Sequence, residues 1–89
     1  MIKKKFTIKN KLGIHARPAG LLVKIASRYK SSVLISNEGH EVNAKSIMGV
    51  LMLGAAFGSD IQLRINGEDE NEAMKALEDL MMNRQFDEE

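Results

Sequence analysis

A histidine, an arginine and a proline lie close together at residues 15–18, where the sequence predicts that a helix begins. The imidazole of His15 can act as a nucleophile, and the planar guanidinium of Arg17 matches the oxygens of a phosphate. Pro18 fits the first turn of a helix, where its missing N–H costs little. The unpaired N–H groups of a helix start, here those of Ala16 and Arg17, attract anions. The segment therefore predicts a histidine that carries a phosphoryl group, with Ala16, Arg17 and Pro18 around the phosphate.

His15 also has an ordinary interpretation, because a lone histidine in a small protein is more often a surface residue than a reactive one. The predicted helix start, Arg17 and Pro18 all lie next to His15 and favour the phosphoryl-carrying role. His40 is the only other histidine, and we interpret it as a solvated strand residue because it adjoins a predicted turn and no arginine is near it. Two histidines without cysteine or a tight carboxylate cluster make a weak case for zinc. We expect neither a metal nor a cofactor.

Ser46 stands at the predicted start of a second, short helix. As the N-cap it would accept a hydrogen bond from an amide of the first turn, which alone explains a serine at this position. It is also a candidate phosphorylation site. The two roles are compatible, because a phosphate is electrostatically favoured at the start of a helix.

The second predicted helix is too short to bury all of its large apolar side chains, which are Ile47, Met48, Leu51 and Met52. An exposed apolar surface that contains methionines suits a protein that meets several partners. The alternative is that Leu51 or Met52 completes the core. Lys24 and Arg28 lie one turn apart on the polar side of the first helix. We interpret them either as the rim of a docking surface or as ordinary solvated charges, and the second is the usual case.

Hydrophobic periodicity predicts four strands and three helices in the order β-α-β-β-α-β-α. The strands are predicted at residues 2–8, 32–36, 40–43 and 59–66, with a turn at 37–39, and the first two helices at 16–29 and 47–53. The last helix begins near Asp69 and has an apolar face of Ala73, Leu77, Leu80 and Met81. Residues 86–89 form a short acidic tail. This order indicates an α+β domain, an antiparallel sheet with three helices on one face.

Length, charge and composition exclude several functional classes. Eighty-nine residues make a single domain, 1–89. A net charge of +1 argues against an extended nucleic-acid surface. The absence of cysteine excludes disulfides and thiolate metal sites. No signal peptide or segment long enough to span a bilayer is evident, so we expect a cytoplasmic protein without membrane insertion.

Two motifs carry a resemblance to a known family. Gly-Ile-His-Ala-Arg-Pro-Ala at residues 13–19 resembles the active-site signature of the histidine-containing phosphocarrier protein family (HPr). Lys-Ser-Ile-Met-Gly-Val at residues 45–50 resembles the regulatory serine signature of the same family. Element order and length match as well, so the resemblance covers the whole chain. Gly20 stands where sugar-type carriers usually have threonine or alanine. Residues 10–13 and the ending at residues 86–89 are more similar to the nitrogen-related branch (NPr), although that branch usually lacks the form of residues 45–49 that this chain has.

The resemblance implies a fold, a role and a set of partners. Members are open-faced β-sandwiches that accept a phosphoryl group from enzyme I on the δ1 nitrogen of the histidine matching His15. They pass it to the IIA components of the phosphotransferase system, for sugar transport in many cases. A kinase/phosphorylase modifies the serine matching Ser46 and weakens exchange with enzyme I. The implied docking residues are Gly20, Lys24, Ile47, Met48 and Leu51, and we expect a monomer.

Three other functional classes compete with this interpretation. A regulatory binding protein of the HPr or NPr kind, whose phosphorylation state controls other proteins without feeding sugar transport, would keep both His15 and Ser46. An RNA-binding sheet needs stacked aromatic residues, and the strands offer only Phe6, which points to the core side. An autonomous enzyme would need a carboxylate pair or a nucleotide-binding loop, and neither is evident. The chain is therefore interpreted as a carrier and substrate rather than a catalyst.

Overall fold

The computed structural model describes residues 1–87 and has the predicted order of elements. The strands are β1 (Ile2–Thr7), β2 (Ser32–Asn37), β3 (His40–Asn43) and β4 (Asp60–Asn66). The helices are α1 (Ala16–Ala26), α2 (Ile47–Met52) and α3 (Glu70–Glu78). A π-helical turn, Asp79–Asn83, and a short 3-10 turn, Gln85–Asp87, follow α3. No helix in this part of the chain is long and apolar enough to cross a lipid bilayer.

The four strands form one antiparallel sheet in the order β1-β4-β2-β3. Side chains of a strand alternate between the two faces of a sheet, and β4 buries every second residue while Arg64 remains on the outer face. The register places Phe6 of β1 opposite Ile61, and Val33 of β2 opposite Ile65. All four of these apolar side chains are buried, so the inner face of the sheet is continuously apolar.

The three helices cover that inner face and leave the other face open, which confirms the predicted α+β fold and the open-faced β-sandwich. The core combines strand residues with Leu22 and Ile25 of α1, Val50 of α2 and Leu77 of α3. Lys4 lies on the inner side of β1, where the alternating pattern predicts an apolar residue. It reaches the edge of the core, and its Nζ lies 2.8 Å from Oε1 of Glu78.

Most predicted boundaries are correct to within one residue, but α1 is shorter than predicted because it ends at Ala26 instead of residue 29. The amides of Arg28 and Tyr29 donate to the carbonyl oxygens three residues back, at 3.1 and 3.3 Å, which tightens the last turn. The carbonyl oxygen of Tyr29 accepts instead from Nζ of Lys45 at 2.7 Å. Lys45 thereby ties the end of α1 to the segment before α2.

The prediction of an acidic tail at residues 86–89 is wrong for Phe86, and Glu88 and Glu89 lie outside the described residues. Phe86 is 1% exposed and belongs to the core. Gln85, Phe86 and Asp87 all have positive φ angles, of 47°, 57° and 57°. This left-handed turn directs the aromatic ring inward. The side-chain amide of Asn10 supports it by donating to the carbonyl oxygen of Gln85 at 3.0 Å.

Candidate functional site

His15 is the N-cap residue of α1, as the sequence predicts. Its backbone is extended (φ −88°, ψ −165°), and its carbonyl oxygen accepts the first helical hydrogen bond from the amide of Ala19 at 3.0 Å. Its half-buried side chain does not cap the helix. The amides of Ala16 and Arg17 have no carbonyl partner within the helix, and Pro18 has no N–H. The imidazole therefore stands beside a helix start that favours negative charge.

The loop before His15 is held tightly against the loop after α2. Gly13 has a φ of +68°, and a Cβ at this position would overlap the carbonyl oxygen of Ala55 and lie 2.8 Å from Cα of Ala56. The next amide, that of Ile14, donates to the carbonyl oxygen of Ala55 at 2.9 Å. Only glycine fits this approach without displacing the neighbouring backbone. The contact with Ala55 and Ala56 thus fixes the segment before His15, and α1 fixes the segment after it.

Arg17 is exposed in the first turn of α1, and the C-terminal turn lies near it. Asp87 accepts two hydrogen bonds from the guanidinium of Arg84, from Nε at 2.9 Å and from Nη2 at 2.6 Å. The hydrogen bonds from Arg84 lower the pKa of Asp87, and the charges of Arg84 and Arg17 lower it further. The site therefore includes an acidic neighbour that the sequence does not predict, since no local pattern links Asp87 to Arg17.

Ser46 is the N-cap of α2, as predicted, and its Oγ accepts a hydrogen bond from the amide of Gly49 at 3.1 Å. The helix buries Val50 completely, and Leu53 follows it into the core. Its other large apolar side chains form the α2 face: Ile47, Met48, Leu51 and Met52 are exposed by 42%, 64%, 36% and 72%. The alternative that Leu51 or Met52 completes the core is therefore wrong.

The α2 face adjoins α1 at Gly20. A Cβ on Gly20 would lie 3.9 Å from Cδ1 of Ile47, so the two helices are close at this point. Arg17, Gly20 and Lys24 are spaced by three and four residues and share one side of α1. Lys24 is exposed. The structure thus brings together the predicted phosphate site and one end of the predicted docking surface.

His40 does not belong to this group of residues. It is exposed at the start of β3, an edge strand, and is paired in register with Asn37. This agrees with its interpretation as a solvated strand residue. Among residues 1–87, no group of three or more histidine, aspartate or glutamate side chains is arranged to hold a metal ion.

Comparison with known proteins identifies the family. The family model described as "PTS HPr component phosphorylation site" matches residues 2–83. The phosphocarrier protein HPr of Xylella fastidiosa is 50% identical over 84 residues, 94% of each chain. A crystal structure of HPr from Thermoanaerobacter tengcongensis matches with a TM-score of 0.94 and 46% identity, over 100% of this chain and 99% of that one. The chain belongs to the HPr family of phosphocarrier proteins.

Membership of this family defines the general role. HPr proteins are phosphocarriers of the phosphotransferase system, carriers rather than catalysts, and the family implies partners such as enzyme I and IIA components. A second structure from Thermoanaerobacter tengcongensis, described as an HPr dimer, matches with a TM-score of 0.78 and 45% identity over 99% of this chain and 100% of that one. A relative of this chain therefore dimerises, and the monomeric state of this chain stays a prediction.

Proposed function

We propose that this protein accepts a phosphoryl group from phospho-enzyme I on Nδ1 of His15 and donates it to IIA components in the cytoplasm. The observation that supports this proposal best is the position of His15 as the N-cap of α1, with Arg17 in the following turn. An imidazole at a helix start has a site for the phosphate oxygens beside it. The family role supports the class of chemistry, and the position of His15 at the helix start supports the choice of this residue.

The proposed transfer is a displacement at phosphorus. The lone pair of unprotonated Nδ1 forms a bond to the phosphorus atom while the bond between phosphorus and the donor breaks, and the donor keeps that electron pair. The three phosphoryl oxygens then meet the amides of Ala16 and Arg17 and the guanidinium of Arg17. These groups stabilise negative charge at a place where they are already oriented. Transfer to a IIA component runs the same step in the opposite direction.

Partners would dock on the side of α1 and α2 next to His15. We assign Gly20, Lys24, Ile47, Met48 and Leu51 to this docking surface, as the family resemblance implies. The exposed α2 face supports the assignment, because a large exposed apolar surface is characteristic of interaction sites. Methionine side chains adapt to partners of different shape.

Phosphorylation of Ser46 by a serine kinase/phosphorylase would regulate this docking. A phosphate adds about −1.5 to −2 charges at the edge of the α2 face. It would not disrupt α2, because the negative group sits at the positive end of the helix. We therefore propose that phosphoserine at position 46 weakens association with enzyme I without unfolding the protein.

The assignment of His15 is tested with enzyme I and isotopically labelled phosphoenolpyruvate. The wild type should acquire acid-labile label, His15→Ala should acquire none, and His40→Ala should match the wild type. Acid-labile label that persists in His15→Ala would refute the assignment. Subsequent transfer to isolated IIA domains separates a carrier from a purely regulatory binding protein.

A further inference from the structure

A second exposed apolar patch lies on the loops beside His15, separate from the α2 face. It consists of Leu12, which is 78% exposed, and Phe57, which is 64% exposed. Neither side chain contributes to the core or to the proposed transfer chemistry. Leu12 adjoins Gly13 and Phe57 adjoins Ala56, and those two neighbours are in contact. The two side chains therefore project from adjacent loop tips.

Both loop tips are rigidly supported. The amide of Ile8 donates to the carbonyl oxygen of Ser59 and the amide of Gly58 donates to that of Ile8, each at 2.8 Å. Around Phe57, the amide of Ser59 donates to the carbonyl oxygen of Ala56 at 3.0 Å, and Oγ of Ser59 accepts from the amide of Ala56 at 3.0 Å. An exposed aromatic ring on a fixed backbone loses little conformational freedom when a partner buries it. Aromatic side chains such as that of Phe57 are enriched at the buried centre of protein interfaces.

We infer that Leu12 and Phe57 form a second contact for phospho-enzyme I, an apolar anchor that fits a recess ringed by carboxylates on the donor. The inference rests on the proposed function, because it takes enzyme I as the phosphoryl donor. The patch continues the proposed docking surface past His15: Leu12 precedes His15 by three residues, and Phe57 follows the end of α2. Because Gly13, two residues before His15, contacts Ala56, a partner that covers His15 would also come close to these two loops.

Charge complementarity favours the donor over the acceptor as the occupant. Lys9 and Lys11 both lie within three residues before Leu12 and are exposed, and Arg17 is exposed two residues after His15. These cations are most attractive to a carboxylate-lined surface before His15 carries a phosphate. Enzyme I docks to the unphosphorylated form, whereas a IIA component docks to the phosphorylated form, whose dianion offsets part of the positive charge. The patch should therefore matter most in the transfer from enzyme I.

The test compares initial rates of phosphorylation by phospho-enzyme I in Phe57→Ser, Leu12→Ser and Met82→Ser. Met82 is an exposed apolar residue outside the two loops, 39% exposed, and is the matched control. We expect KM to rise about tenfold in Phe57→Ser and about threefold in Leu12→Ser, with kcat unchanged, because binding is lost equally in the ground and transition states. Met82→Ser should behave as the wild type. All three proteins should melt at the wild-type temperature, since none of these side chains is in the core.

The possible outcomes separate this inference from the proposed function. If enzyme I does not label the wild type at His15, the proposed function fails. If it labels the wild type and Phe57→Ser with the same KM, the anchor alone is refuted. A KM effect confined to the transfer to IIA, or a change from dimer to monomer in sedimentation of Phe57→Ser, would also overturn the assignment of this patch to enzyme I.

Discussion

At the scale of single residues, Arg17 is the side chain whose loss should slow phosphoryl transfer without changing the fold. It is exposed two residues after His15, and in the proposed transfer its guanidinium would meet the charge that develops on the phosphoryl oxygens. Loss of one such oriented contact typically costs about 10²- to 10³-fold in rate. We expect Arg17→Ala to show this loss in single-turnover transfer from enzyme I, and Arg17→Lys to lose less because it keeps the charge without the planar fork.

The melting temperature is the control for that prediction. It should be the same in Arg17→Ala as in the wild type, because Arg17 contributes no side chain to the core. A full transfer rate in Arg17→Ala would mean that the helix start alone suffices. A large fall in melting temperature would mean that the arginine has a structural role.

Gly13 is a residue at which the backbone, rather than the side chain, determines the site. Its φ of +68° and its contact with Ala55 and Ala56 should make Gly13→Ala destabilising by about 2 kcal/mol or more. Gly54 is the matched control, because it has a φ of +66° and a Cβ there would meet no atom within 4 Å. Urea denaturation should show a distinctly larger loss for Gly13→Ala than for Gly54→Ala. Equal losses would show that the strained φ alone matters and that the contact between the loops does not.

The positions of individual residues were predictable where the signal is local. His15 and Ser46 each precede a helix, as the sequence predicts, because helix starts are marked by a few adjacent residues such as Pro18 and Ser46 itself. The contact of Gly13 with Ala55 and the position of Asp87 near Arg17 were not predictable. Both arise where segments distant in sequence pack together, and no spacing rule encodes such contacts.

At the scale of elements, α1 contains a glycine that its surroundings do not require. A Cβ at Gly20 would meet only Cδ1 of Ile47, at 3.9 Å, which is ordinary van der Waals contact. Alanine is favoured over glycine within a helix by about 1 kcal/mol. Gly20→Ala should therefore raise the melting temperature by about 4–8 °C in calorimetry. An unchanged or lower value would show that the approach of α1 to α2 depends on the glycine.

Ser46 gives α2 a cap, and its variants separate that structural role from regulation. Ser46→Ala removes the acceptor of the Gly49 amide and should cost about 1 kcal/mol, whereas Ser46→Asp keeps an acceptor and should hold stability. Only Ser46→Asp should raise the KM for enzyme I, because only it adds charge beside the α2 face. The effect should weaken with salt, since exposed charges are screened over about 10 Å at 0.1 M.

Two results together would restrict Ser46 to the role of a helix cap. One is that Ser46→Asp accepts phosphoryl groups from enzyme I as readily as the wild type at low salt. The other is that stoichiometric phosphorylation of Ser46 has no effect on the same reaction. The regulatory part of the family resemblance would then not apply to this chain.

The elements themselves were predicted more reliably than their ends. Alternation in β4 and the apolar face of α3 are strong periodic signals, and both are confirmed by burial. The end of α1 was missed because its apolar stripe continues to Tyr29, which packs against the core, although the amides of Arg28 and Tyr29 already bond three residues back. The C-terminal turn was not predicted because the residues next to Phe86 in the sequence are polar or charged and indicate a solvated segment. An isolated aromatic residue among polar ones was the only available sign that the segment returns to the core.

At the scale of the whole molecule, Asp69 connects two parts of the chain through a network that depends on pH. Its carboxylate accepts hydrogen bonds from the amides of Lys30 and Ser31, each at 2.9 Å, and from the hydroxyl of Ser31. These bonds tie the start of α3 to the segment between α1 and β2. The hydrogen bond from the Ser31 hydroxyl, with that from the Lys30 amide, lowers the pKa of Asp69 from 3.8 to about 2. Ionised Asp69 is therefore favoured by the folded state.

This shift predicts the acid end of the stability profile. A carboxyl group whose pKa is lower in the folded state stabilises the protein above its unfolded pKa, and that contribution is lost as the pH falls through the folded value. For Asp69 the loss should occur between about pH 4 and pH 2. The pKa of Glu70 is also lowered, first by a hydrogen bond from the Gly67 amide, so the protein will keep some acid sensitivity when Asp69 is replaced.

The measurement is the free energy of unfolding in urea, for the wild type and Asp69→Asn, at intervals from about pH 6 down to about pH 2. At the upper end of this pH range the wild type should be more stable than Asp69→Asn, because the asparagine amide keeps the shape of the carboxylate without its charge. The difference between the two proteins should stay level to about pH 4 and shrink below it, since a protonated Asp69 also lacks charge. A difference that persists unchanged at about pH 2 would show that the network is stabilised by its shape and not by the ionisation of Asp69. The same series on Glu70→Gln should give a difference from the wild type that shrinks in the same direction, which identifies how much of the acid loss belongs to each of the two carboxylates.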